Sequence, residues 1–347
     1  MDNLEKLKSV TDECDGKILE LFKKRMRAEE EAARYKIARG LPLYDPERER
    51  DVLYRACSAS VGDMQNYVKI LFSALTDISR THIGTLQNEK LPVTDEIGRA
   101  IANKKQSFPS AAYVACQGIE GAYSQLAAEA LFSAPKIIYL QSFDGVFNAV
   151  DKGLCSYGVL PIENSIACSV TEVYELMKKY RFHIARSVKL RVNHVLLAKS
   201  GASLRGIKEV YSHDQAISQC SIWLKNNPEI KVTVCENTAV AAMTAAKSGR
   251  SDIAALSSAN CAAVYNLSVL SPDVQNSDNN YTRFICISKD LQLYREADKM
   301  SFMITLDNKA GALYHLLTKF SALGLNLTKL EYLVYRLIFS QRKLQSK

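Results

Sequence analysis

Two short strings hold side chains that could grip and protonate a small ligand. One is Asn280-Tyr281-Thr282-Arg283-Phe284; the other is Pro161-Ile162-Glu163-Asn164-Ser165. Together they offer a hydroxyl, a carboxylate, an amide and a guanidinium. Each lies at the end of a segment that reads as a strand, where α/β proteins place their ligands. Further strand-to-helix turns carry Gly118-Ile119-Glu120-Gly121, Ser212-His213-Asp214-Gln215 and Asn237-Thr238. Backbone N–H groups opening a helix at 121–124 could bind a carboxylate, and a plain tight turn fits the same residues. The string lacks the Gly-x-Gly-x-x-Gly of a dinucleotide site, so no nicotinamide cofactor is expected. His213 reads as a helix cap or core residue ahead of a catalytic base.

A second group of polar residues lies in the N-terminal quarter. Arg25 and Lys36 are 11 residues apart, three helical turns plus ~20°, so they share a face and could reach one small anion between them. Lys8 is offset by ~100° and faces elsewhere. It would serve a second site only where another subunit packs, which suggests two sites shared across a homodimer. Exposed charges on an amphipathic helix would account for the same residues.

These groups need scaffolds of two kinds. Residues 3–39 read as one long helix with an apolar stripe through Leu4, Leu7, Cys14, Ile18, Leu21, Phe22 and Ala32. Such a helix is ~54 Å long, so it should pack against a partner. Asp45-Pro46-Glu47 restarts the chain as a second helix, with Asp as cap and Pro at the first position. A third covers about 63–86. Residues 91–110 read as a linker. From 112 strands and helices alternate, which implies parallel sheets. Residues 300–330 read as strand 301–306, helix 311–323 and strand 326–331. The expectation is a multidomain chain: an all-α helical domain at 1–90, a two-lobed α/β domain at 111–289 and a partial α+β module at 298–347.

The composition excludes several classes. No apolar run approaches the ~20 residues of a membrane span. The start, Met-Asp-Asn-Leu-Glu, shows no leader. The nine cysteines include no Cys-x-x-Cys pair, which argues against a metal site and for a reducing, cytoplasmic setting. Net charge is +8, but no basic block is interleaved with aromatics, so nucleic acid is not the expected partner.

The stretches 114–124, 157–170, 193–197, 211–220, 237–242 and 280–285, in this order, resemble prephenate dehydratase. The resemblance implies two lobes like a periplasmic binding protein with the site in the cleft, and conversion of prephenate to phenylpyruvate, water and carbon dioxide without a cofactor. It assigns proton donation to Thr282 with Glu163 nearby, and substrate binding to Asn164, Ser165, Gln215 and Arg283. Cys168 stands where the family often has Gly, and Asp214 where it often has Pro.

Residues 1–90, with Lys8, Arg25, Lys36, Asp45-x-x-Arg48-Glu49 and Ser79, are similar to the helical chorismate mutases. The resemblance implies that Arg25 and Arg48 bind the carboxylates of chorismate and that Lys36 meets the ether oxygen. Asp45 and Glu49 make polar contacts, and Lys8 reaches a dimer partner's site. Lys8 replaces a family Arg and lacks its bidentate fork. Ile83 replaces a second donor to the ether oxygen, so mutase activity is expected to be weakened. Residues 300–331 resemble the start of an ACT domain, with Gly311-Ala312-Leu313 at the phenylalanine-binding turn. A second motif expected from Glu331 is missing, which implies weak or absent phenylalanine inhibition. The alternatives are a two-lobed small-anion binding protein and a catalytically impaired adaptor.

Overall fold

The computed structural model describes residues 3–86, 92–105, 107–295, 297–308 and 311–331. It separates into two compact units, Met1–Lys90 with Ile304–Lys347, and Leu91–Met303.

The first unit opens with α1 (Asn3–Ala38), α2 (Pro46–Ser58) and α3 (Met64–Gly84). Asp45 caps α2, its carboxylate accepting from Arg48 N at 3.1 Å, with Pro46 at the first position. The apolar stripe of α1 is only half used. Ala33 is its one buried residue, while the described residues up to Leu21 are exposed, including Leu7, Ile18 and Leu21.

The second unit begins with α4 (Pro92–Ala102), inside the stretch expected to be a linker. That stretch is folded onto the α/β body. Glu96 pairs with His183 at 2.9 Å, and the Phe108 ring packs against Phe132, Tyr157 and Tyr294. Aromatic burial, invisible to local polarity, overrides the linker composition.

Two sheets follow. The first is built from β1 (Ala111–Gln117), β2 (Ala134–Leu140), β3 (Tyr157–Asn164), the two-residue β4 (Cys168–Ser169), β5 (His183–Arg191) and, after the second sheet, β11 (Tyr281–Ser288). Its order is β2-β1-β3-β11-β5, with β4 on β3. Helices α5 (Tyr123–Leu131), α6 (Phe143–Asp151) and α7 (Thr171–Tyr180) connect these strands. The second sheet holds β6 (His194–Lys199), β7 (Glu209–Ser212), β8 (Lys231–Val234), β9 (Ile253–Ser258) and β10 (Leu267–Ser271), in the order β10-β6-β9-β7-β8. Its helices are α8 (Asp214–Gln219), α9 (Ser221–Lys225), α10 (Thr238–Lys247) and α11 (Asn260–Tyr265).

The sheets are mixed, against the expectation of parallel ones. β11 runs antiparallel to both β3 and β5, and β6 antiparallel to β9 and β10. The chain crosses from the first sheet to the second between β5 and β6, and back between β10 and β11. Neither crossing carries a helix, and a parallel neighbour needs a long crossover. After His213 the helical stretch is broken at Cys220 into α8 and α9, and the cap position of α7 is Val170. The strands are buried on both faces where helices cover them: Leu160, Ile285 and Ile287 are fully buried in one lobe, Leu196, Leu197 and Leu256 in the other.

The last described helix, α12 (Ala312–Ala322), belongs to the first unit. Gly311 caps it with φ +85, and Leu313 is 45% exposed. Its His315 meets the buried Asp77 of α3 at 2.5 Å. The strands expected at 301–306 and 326–331 are not formed. Apolar alternation is not enough without a neighbouring strand to take the backbone hydrogen bonds, and none lies beside them among the described residues. The expected missing motif after Glu331 falls outside the described residues.

The turn Gly118–Gly121 joins the two lobes of the second unit, and the N–H of Gly121 is already engaged within the protein. Gly121 N–H donates to Gln125 Oε1 at 2.7 Å, and its carbonyl accepts from Ser258 Oγ and Cys261 Sγ, each at 3.3 Å. With φ +88, an added Cβ would lie 2.8 Å from Cys261 Sγ. Gly121→Ala is therefore expected to destabilise this unit by about 2 kcal/mol from backbone strain and overpacking together. Thermal unfolding should show a fall of several degrees; an unchanged midpoint would contradict the packing described.

Candidate active site

Register decides which of the sequence-predicted residues meet. Across β3 and β11, Thr282 pairs with Asn164 and Arg283 with Glu163. Successive strand residues point to opposite faces, so the two pairs diverge. Thr282 and Asn164 line a cleft between the lobes together with Val192, His194, His213, Gln215, Ala216, Gln219 and Thr238. Glu163 and Arg283 are absent from that lining and form an ion pair at 3.6 Å. The expectation that Glu163 stands beside Thr282 in the cleft is thus corrected: one residue of offset along a strand is enough to turn a side chain away. Ser165 is also placed elsewhere. Its hydroxyl donates to Asn279 O and accepts from Tyr281 N, both at 2.9 Å, tying the loop after β3 to the start of β11.

Asn164 is the most constrained residue of the cleft. Its Oδ1 accepts from the backbone N–H groups of Ile166 (2.9 Å) and Ala167 (2.8 Å). Its Nδ2 donates to Asn280 Oδ1 at 2.8 Å and to Thr282 Oγ1 at 2.9 Å. Cys168, with φ +65, closes this loop in the left-handed region. Asn280 is fully buried, and its Nδ2 donates to Gln219 Oε1 at 2.9 Å. Gln219 Oε1 also meets His194 Nε2 at 3.1 Å.

No carboxylate, lysine or arginine is among these lining residues. His194 is buried, and desolvation holds its imidazole near pH 4, neutral at physiological pH. His213 acts as the cap of α8, its Nδ1 accepting from Gln215 N at 3.3 Å. The cleft thus offers neutral donors: a hydroxyl, amides and imidazole. Such groups stabilise a departing oxygen by hydrogen bonding without themselves needing to ionise.

Sequence reading passed over His194, Gln219, Thr238 and Asn280 as site residues. One signal was available: Gln215 and Gln219 are four apart, hence on one helical face, and both line the cleft. Asn280 stands in the short string that also carries Thr282, whereas nothing local marks His194; the contacts of both come from distant segments.

In the helical unit, Arg25 Nη1 donates to Ser79 Oγ and, at 3.2 Å, to Leu75 O, joining α1 to α3. Lys36 Nζ donates to Leu43 O at 3.3 Å. Glu49, expected to contact substrate, is held by Arg80, whose Nε donates to it at 2.7 Å with a second contact from Nη2. Arg80 also lies over the Tyr44 ring at 4.4 Å. Because α2 and α3 pack against each other, an acid on one finds a cation on the other that the motif did not mark. The Asp45 carboxylate is engaged as the α2 cap. Arg48 and Lys8 are exposed.

Comparison with known proteins follows the same division. The family model described as prephenate dehydratase matches residues 114–292, and that described as chorismate mutase type II matches residues 7–83. The bifunctional chorismate mutase/prephenate dehydratase of Stutzerimonas stutzeri is 30% identical over 332 residues, covering 95% of this chain and 85% of that protein. Arogenate dehydratase/prephenate dehydratase 1, chloroplastic, of Arabidopsis thaliana is 37% identical over 220 residues. That match covers 63% of this chain and 56% of the plant protein, so the chain spans little more than half the length of that relative. A solved prephenate dehydratase from Arthrobacter aurescens, in complex with L-Phe, shares the fold with a TM-score of 0.55 at 24% identity, covering 63% of this chain and 75% of that one. The match to more than half of the residues, over the segment that builds the Thr282–Asn164 cleft, shows that the chain belongs to the prephenate dehydratase family, with a chorismate mutase type II segment ahead of it.

Proposed function

We infer that the chain serves phenylalanine biosynthesis, converting prephenate to phenylpyruvate in the α/β unit and chorismate to prephenate in the helical unit. The observation that carries the first activity is the pairing of Thr282 with Asn164 on the wall of a cleft lined by neutral donors.

The reaction balances as follows. The bond from the ring to its carboxylate breaks, carbon dioxide leaves, and that electron pair enters the ring. The diene shifts and expels the hydroxyl at the opposite ring carbon, which takes up one proton and departs as water. Aromatisation drives the step, so the protein needs to supply a hydrogen bond or proton at the leaving oxygen. Asn164 Nδ2 donates into Thr282 Oγ1, which leaves the threonine hydrogen free for the substrate. The same N–H stabilises the negative charge that grows on Oγ1 as its proton moves outward. Gln215 and Gln219 add amide groups for the anionic ends of the substrate.

Rearrangement of chorismate is unimolecular and needs no nucleophile. Arg25, anchored on Ser79 and Leu75, holds a carboxylate, and Lys36 faces the ether oxygen as negative charge builds on it. Arg48 binds the second carboxylate. Arg80 enters as a residue that orients Glu49. The exposed apolar half of α1 is the surface through which a second copy would pack, bringing Lys8 to its partner's site. All nine cysteines are free, in keeping with a reducing compartment. The unformed ladder at 301–306 and 326–331 supports weak or absent inhibition by phenylalanine.

The relative at 37% identity carries the name arogenate dehydratase/prephenate dehydratase. Arogenate presents the same ring carboxylate and hydroxyl, so the same cleft chemistry applies, and both acids belong in the assay.

Thr282→Ala is expected to lower kcat for prephenate by about 10²–10³-fold, the usual loss for one donor at the reacting oxygen, with an unchanged unfolding midpoint. Retained turnover would remove Thr282 from the reaction. Arg25→Ala is expected to abolish chorismate turnover while prephenate turnover stays within about twofold, because the two sites share no residue; parallel loss of both would refute separate sites. Saturating phenylalanine is expected to leave the dehydratase rate unchanged, and clear inhibition in a steady-state assay would contradict this.

A further inference from the structure

A chain of hydrogen bonds with a single allowed polarity runs through the cleft. It starts at the backbone N–H groups of Ile166 and Ala167, which can only donate, so the oxygen of Asn164 must face them. Asn164 Nδ2 then spends its two hydrogens on Asn280 Oδ1 and Thr282 Oγ1. Asn280, oxygen engaged, presents Nδ2 to Gln219 Oε1. Gln219 Oε1 is an acceptor, so the His194 nitrogen facing it must carry hydrogen. No link can be reversed without setting two donors or two acceptors against each other. The chain begins on the β3 loop of one lobe and ends on β6 of the other.

From this geometry we propose that His194 is a positioning residue of the dehydratase, donating from Nε2 to Gln219 Oε1 so that the amide N–H of Gln219 faces the substrate beside the Thr282 hydroxyl. The inference rests on the dehydratase reading above. Further observations support it. His194 is 4% exposed and lines the cleft. With Nε2 as the donor, a neutral imidazole keeps a bare lone pair at Nδ1, and Nδ1 is indeed buried without a hydrogen-bond partner. A buried polar atom left unpaired is costly, so a structural role alone would favour an apolar residue or a histidine bonded at both nitrogens. The Tyr123 ring stands edge-on to the imidazole at 6.0 Å, and its hydroxyl is committed to Asn193, so the imidazole is held by packing on that side. Desolvation keeps the ring neutral, which preserves the bare Nδ1 at working pH. With Oε1 of Gln219 taken by two donors, its Nε2 makes no hydrogen bond to another described residue and remains for the ligand.

The test compares two polar variants of similar bulk. Glutamine can place an amide N–H where Nε2 lies; asparagine reaches only the Nδ1 position. Prephenate turnover by the wild-type protein comes first, and its absence would sink the dehydratase reading itself, separately from the inference. With turnover established, His194→Asn is expected to lower kcat roughly tenfold, less than the ~10²–10³ of removing a donor at the reacting oxygen, with KM within about threefold. His194→Gln is expected to recover most of the rate. Equal rates for the two variants, or a loss carried wholly by KM, would overturn the proposal. From the other side of the same bond, Gln219→Glu keeps the acceptor oxygen while Gln219→Met deletes it. Should His194→Asn fail to fold, these two carry the test. A Met variant no slower than the Glu variant would overturn the proposal, and a further kcat loss of about tenfold would support it.

Discussion

The cleft depends on one constraint: two backbone amides, Ile166 N–H and Ala167 N–H, converge on the side-chain oxygen of Asn164. A backbone N–H has no acceptor alternative, so the amide cannot flip. That single orientation makes Thr282 an acceptor from Asn164 and therefore a donor to whatever lies in the cleft. A threonine hydroxyl is a poor acid alone. Its usefulness comes from having its lone pair occupied and its hydrogen unclaimed.

Holding those amides in place requires the mixed sheet. β11 inserts between β3 and β5, antiparallel to both, so the end of β3 and the start of β11 lie at the same edge. Ser165 then bonds to Asn279 and Tyr281 and fastens the two segments. Because β11 arrives from the second lobe, the residues just before it, including Asn280, can touch α8 of that lobe through Gln219. The topological return of the chain is what lets a hydrogen-bond chain span both sheets. The Gly121 turn, packed on Cys261, fastens the lobes at a second point.

The two halves of the protein use charge in opposite ways. The cleft of the α/β unit is lined by neutral groups, with its nearby ion pair, Glu163–Arg283, on the other face of the sheet. A neutral lining avoids the desolvation cost of buried charge and, in the proposed reaction, would leave the leaving oxygen to be met by donors alone. In the helical unit the polar groups are instead cations: Arg25, partly buried between α1 and α3, and Lys36, partly buried against the loop after α1. That contrast fits the two reactions proposed above: one would expel a hydroxyl that must be protonated, the other would only redistribute charge within one bound dianion.

Much of the scaffold was readable from local patterns. The Asp45-Pro46 start of α2, the long α1 and the order of strands and helices from 111 onward follow from capping chemistry and apolar periodicity, which act over a few residues. Thr282 and Asn164 were recognisable because their short strings are specific. Other features depended on contacts between distant segments. Register across β3 and β11 sent Glu163 away from Thr282, and packing of α2 on α3 gave Glu49 to Arg80. Aromatic stacking fastened Phe108 to the α/β body, and 301–306 has no ladder partner among the described residues. Sequence alone determined most of the elements and which side chains are available; only the tertiary structure decided which of them meet, because strand register and hydrogen-bond polarity are properties of pairs, and Asn164 and Thr282 lie 118 residues apart.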